Sequence, residues 1–111
     1  MESVKTPMPA AETVKLADLV QYAEGSIVSR AIAQKPVGSL TLFAFDAGQS
    51  LSEHTAPFDA VVVGVEGEAD VTISGKPFRV GKDDLLLMPA NEPHGLKALT
   101  PFKMMLIMIR G

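Results

Sequence analysis

From Ile27 to Ile109 the chain is a near-continuous series of short β-forming runs, each closed by Gly, Pro, Asp or Asn. Many short strands in one small domain expose many unpaired edges unless the sheet closes on itself or stacks on a second sheet. The runs predicted as strands are Ile27–Ala33, Ser39–Asp46, Leu51–Thr55, Ala60–Val65, Glu68–Ile73, Pro77–Val80, Leu85–Met88, Gly95–Leu99 and Phe102–Ile109. The clearest hairpin joins Glu68–Ile73 to Pro77–Val80 across Ser74–Gly75–Lys76. A closed or double-sheet all-β structure is the expectation.

Two of these strands are apolar on both faces. In Ser39–Asp46, Thr41, Phe43 and Phe45 point one way and Leu40, Leu42 and Ala44 the other. In Phe102–Ile109, Met104, Leu106 and Met108 oppose Met105, Ile107 and Ile109. One set fills the interior, and the other needs cover from the N-terminal region or from a second subunit. An uncovered stripe invites aggregation, so a homodimer is expected.

Residues 1–24 are of another character. Met1–Ala11 carries two prolines and reads as a poorly anchored arm. Thr13 can cap a short helix over Val14–Tyr22, which Gly25 would stop. Residues 25–111 then form a single β-domain, since a chain of 111 residues cannot divide into halves that each bury a core. Apolar residues make up 47% of the sequence, enough for a globular protein. A net charge of −3 gives no electrostatic case for nucleic acid or an anionic membrane. With no cysteine, thiolate metal sites, disulfides and a cysteine nucleophile are excluded. The N-terminal residues lack the apolar core of a signal peptide, and no run is long enough to span a membrane, so a cytoplasmic location is expected. No phosphate-binding glycine loop, nucleophile elbow or paired-carboxylate hydrolase site is present.

Chemistry concentrates on the only two histidines, His54 and His94. His54 lies in GQSLSEHTAPFDAVVVGVEGE, Gly48 to Glu68, and His94 closes DDLLLMPANEPH, Asp83 to His94. Residues 54, 56, 60, 62 and 64 share strand parity, which places His54, Ala56, Ala60, Val62 and Gly64 on one inward row. Taken singly, His54 is a polar residue satisfied near a strand end and His94 an ordinary loop histidine. Gly64 fits tight curvature or close backbone approach better than a role in enlarging a pocket. Asn91, between Pro89 and Pro93, suits a left-handed turn.

Together the two segments resemble the bipartite motif of the cupin superfamily. The fixed positions of the first motif, G-x5-H-x-H-x3/4-E-x6-G, fall on Gly48, His54, Ala56, Ala60 and Gly67. Those of the second, G-x5-P-x-G-x2-H-x3-N, fall on Asp83, Pro89, Asn91, His94 and Ala98. The resemblance implies a double-stranded β-helix, or jelly-roll barrel, that brings both histidines to one pocket. Alanines replace the middle histidine and the glutamate of the family's metal set. No cofactor is therefore firmly implied; at most Zn, Ni or Cu is held weakly by His54 and His94. The expected function is binding of a small organic molecule, with His54 and His94 as polar handles and Phe43, Phe45 and Met105 as apolar lining. The alternatives are a metal-dependent oxygenase or isomerase with an incomplete ligand set, and a metal-independent acid/base enzyme acting on a sugar or keto acid. DNA regulation is disfavoured, because the chain has no further helical domain.

Overall fold

The computed structural model describes residues 1–110. The strands are β1 (Glu2–Ser3), β2 (Ile27–Lys35), β3 (Gly38–Phe45), β4 (Ser50–His54), β5 (Asp59–Glu66), β6 (Ala69–Ile73), β7 (Lys76–Val80), β8 (Leu85–Met88), β9 (His94–Ala98) and β10 (Phe102–Ile109). They form a six-stranded sheet in the order β1-β2-β3-β10-β5-β8 and a four-stranded sheet in the order β4-β9-β6-β7. The pairing is antiparallel except between β1 and β2. This is the two-sheet all-β structure expected from the spacing of strands and turns, and the jelly-roll barrel that the resemblance implies. No helix among the described residues is long and apolar enough to cross a membrane.

The period of two fixes the interior. Phe45, Val62, Val71, Val80, Leu96, Phe102 and Met104 meet between the sheets in one buried cluster. The outward residues of the larger sheet build a second cluster, in which Leu42 and Ala44 pack with Leu19, Val20, Val28 and, partly buried, Met105. Both faces of β3 and β10 are thus used, and the N-terminal segment supplies part of the outer cover.

That segment departs from the expectation in two ways. The helix predicted over Val14–Tyr22 is only a 3-10 turn, Leu16–Leu19, with Lys15 and not Thr13 at its N-cap position and no side-chain cap. So short a segment does not sustain an isolated helix, and laying Leu19 and Val20 against the sheet gains more than another helical turn. The arm is also anchored. Glu2 and Ser3 pair with Val28 and Ser29, while Val4 and Met8 pack against the outer cluster. The Arg30 guanidinium donates to the carbonyls of Leu19 and Pro7 at 3.0 and 3.2 Å. Buried Lys103 donates to the Ala17 carbonyl at 2.7 Å and lies over the Tyr22 ring.

Two departures from the motif's usual residues have a backbone explanation. Asp83 and Asn91, which stand where the motif has glycine, adopt positive φ of 68° and 67°. Gly64 is needed for close approach: a Cβ there would lie 1.8 Å from the Gly81 carbonyl oxygen.

Candidate functional site

β4 ends at His54 and β9 begins at His94, and the two residues are register partners across these antiparallel strands. Strand pairing therefore brings together side chains far apart in sequence. The rings meet edge to face, with centroids 4.4 Å apart. His94 is buried and His54 exposed, as expected of a pair at the mouth of a barrel.

Both histidines open onto a cavity of about 330 Å³. Its walls are otherwise apolar. Phe43, Met104, Leu106 and Met108 come from the larger sheet, and Leu51, Val71 and Leu96 from the smaller. Val62 and Met88 complete the walls, and Met1 reaches the rim.

The backbone orients each imidazole. His54 Nδ1 is 3.0 Å from the Ser52 carbonyl oxygen and His94 Nδ1 is 3.2 Å from that of Glu92. A carbonyl only accepts, so each Nδ1 carries the proton and donates it. Each Nε2 is then the lone-pair nitrogen in the neutral ring, or a donor in the cation. Neither Nε2 has a hydrogen-bond partner among the described residues.

Of the residues expected to line the pocket, His54, His94 and Phe43 do so. Phe45 is wholly buried, tilted against Phe102 with centroids 6.1 Å apart, and fills the far end of the barrel. Met105 is on the opposite face of its strand, in the outer cluster, because it pairs with outward-facing Leu42. Its neighbour Met104, which pairs with Phe43, is the cavity residue. Sequence analysis had separated these two sets on β10; only the register with Phe43 says which set is inside. Met1 carried no such signal, because β1 is too short to register as a strand.

Residues 41–110 match the family described as the cupin domain. The chain belongs to the cupin family. It is similar to a conserved protein of unknown function from Streptococcus pyogenes, with 30% identity over 100% of this chain and 96% of that one and a TM-score of 0.90. A cupin superfamily protein from Desulfitobacterium hafniense is 29% identical over 94% of this chain and 95% of that one, with a TM-score of 0.89. A cupin 2 conserved barrel domain protein from Leptotrichia buccalis is 44% identical over 86% of this cupin, which spans 46% of that chain; the TM-score is 0.82. No curated protein matches the chain.

Alanines stand at positions 56 and 60, where the family's metal motif has its middle histidine and its glutamate. A firmly held divalent ion takes three or four protein ligands. No group of three His, Cys, Asp or Glu side chains suited to a metal occurs among the described residues. The nearby carboxylates have other partners or face elsewhere: Glu92 accepts from the Ser74 hydroxyl, Asp59 accepts from the Ala90 amide at 2.9 Å, and Glu53 lies on the outside of the smaller sheet. What remains is an apolar chamber with two nitrogen atoms at one end.

Proposed function

We propose that this cupin binds a small organic molecule, apolar over most of its surface and carrying one hydroxyl or carboxylate group. The supporting observation is the contrast within a single cavity, where hydrocarbon walls surround two imidazoles whose Nδ1 atoms are already engaged. Apolar walls provide affinity without direction, and the two Nε2 atoms orient the polar end. A hydroxyl donates to a neutral Nε2; a carboxylate accepts from a protonated one. The fold by itself does not select a reaction.

The test uses untagged protein, calorimetric titration with benzoate and with cyclohexanol, and elemental analysis of the same sample. We expect saturable 1:1 binding of at least one probe. His54→Ala and His94→Ala should each weaken it about 10-fold or more, the effect of losing a hydrogen bond to a charged or polar ligand group. Affinity unchanged in both variants would refute the role of the pair. A stoichiometric metal that disappears in His54→Ala would instead favour a metal-dependent enzyme. Turnover of a sugar or keto acid that His94→Ala abolishes while probe binding survives would favour acid/base catalysis.

A further inference from the structure

Four of the six methionines border the histidine cavity: Met1 at the rim, and Met88, Met104 and Met108 in the walls. Register singles out two of them. β5 runs between β8 and β10, and its Ala60 pairs with Met88 on one side and Met108 on the other. Ala60 occupies the motif's glutamate position. It is buried, and both methionines join it in the inner cluster. Met104 pairs instead with Gly64, further along β5 from the mouth. Where the motif has one carboxylate, the wall has two thioethers on either side of a methyl group.

A methionine alone is ordinary core packing. Here the thioethers share a chamber with two imidazoles whose Nδ1 atoms are held by backbone carbonyls, at 3.0 and 3.2 Å. That outer contact is the one that fixes the ring of a metal-ligating histidine and turns its other nitrogen toward the ion. The chamber thus offers two nitrogen and two sulfur donors, all uncharged when the rings are neutral.

Charge decides which ion such a set can hold. Among the described residues no Asp or Glu lines the chamber, so an ion there keeps its full charge amid hydrocarbon. The cost of taking an ion out of water rises with the square of its charge, which makes a monovalent ion about a quarter as costly as a divalent one of similar size. Thioethers are soft donors, and among first-row metals they select Cu(I). The flexible methionine side chains can close around it.

We propose that the chamber is a cuprous-ion site, with His54 and His94 as nitrogen ligands and Met88 and Met108 as sulfur ligands. The site does not rest on the organic-ligand reading. Ion and organic molecule are alternative occupants, because both use the same two Nε2 atoms. Copper in air is Cu(II), whose charge these uncharged donors do not retain. Protein handled in air is therefore metal-free, and the ion is supplied in the test.

The test is an anaerobic titration of the untagged full chain with Cu(I), in ascorbate and in competition with bicinchoninate. One ion per chain should bind. Met88→Leu/Met108→Leu, which conserves volume and apolarity, should weaken Cu(I) binding at least about 100-fold, since loss of even an outer-shell partner costs roughly 10–100-fold. The same variant should keep the wild-type affinity for benzoate or cyclohexanol and the wild-type circular dichroism spectrum. Met105→Leu, in the outer cluster, should leave Cu(I) affinity unchanged. No Cu(I) uptake by the wild type, or equal uptake by the double variant, overturns the copper site and leaves the organic-ligand reading standing. Failure of the organic probes with Cu(I) bound through the methionines does the opposite. Should the double variant fold poorly, X-ray absorption at the copper edge of the wild-type adduct decides: nitrogen and sulfur neighbours are expected, and nitrogen alone rejects the site.

Discussion

The two ends of the barrel are built from the same strands and treat them differently. At one end Phe45 and Phe102 fill the interior, and the N-terminal segment covers Leu42, Ala44 and Met105 outside. At the other end the interior holds a cavity with His54 and His94, and outside it Leu87 and Ile109 are 50% and 61% exposed. The packed end is over-determined and serves as scaffold. The histidine end is under-filled inside and partly exposed outside, and it is on this contrast that the proposed function rests.

The difference is sharpest where backbone meets backbone. Gly64 belongs to the packed end, where its amide donates to the Asp84 carbonyl at 2.8 Å and its carbonyl accepts from Asp83 at 2.9 Å. Gly64→Ala forces a methyl group into the Gly81 carbonyl, and neither backbone segment is free to yield. The expected cost exceeds about 4 kcal/mol, enough to leave the protein largely unfolded. Gly25→Ala has open space around its Cβ and meets only the strain of φ +65°, about 1 kcal/mol. Equal urea midpoints for the two variants would show that the packed end is not as rigid as its contacts indicate.

A second comparison uses one residue type at both ends. Phe102 is fully buried among the core side chains, so Phe102→Ala should destabilise by about 3–5 kcal/mol. Phe43 is partly exposed and borders an existing cavity, so Phe43→Ala should cost about 1–2 kcal/mol. It should also change probe affinity, whereas a packed-end truncation mild enough to leave the protein folded should not. Urea unfolding followed by circular dichroism, together with the benzoate titration, reads both quantities. Comparable destabilisation by the two substitutions would erase the distinction between scaffold and site.

Alternation and turn chemistry made the barrel legible in the sequence: the predicted strands recur with boundaries shifted by a residue or two. The histidine pair was legible through the cupin motif, because strand pairing unites residues 54 and 94 only once the barrel is assumed. The choice of Met105 over Met104 failed for a physical reason. Both faces of β10 are apolar, so local pattern carries no sign, and only the register with β3 assigns inside and outside. The N-terminal segment failed for another. Its conformation is imposed by tertiary contacts such as Arg30 to Leu19 and Lys103 to Ala17, which local helix propensity does not anticipate.

Those contacts supply the smallest of the expected effects, a test of how firmly the cover grips the packed end. Tyr22 lies under the Lys103 ammonium and donates its hydroxyl to Glu66. Burial first, then this hydrogen bond and the nearby carboxylate charge, raise the phenol well above its ordinary value of 10.0. The native state therefore keeps a proton that the unfolded chain releases above about pH 10, and stability must fall as pH rises through that range. The stabilisation is intact below the unfolded-state value and is lost toward the raised native one. Tyr22→Phe has no proton to lose, so the loss of stability between about pH 9 and 11 should be shallower in this variant. Partial exposure keeps the difference modest. Parallel urea titrations of the two proteins across that range measure it, and identical slopes would mean that the Tyr22–Glu66 contact does not hold the segment in place.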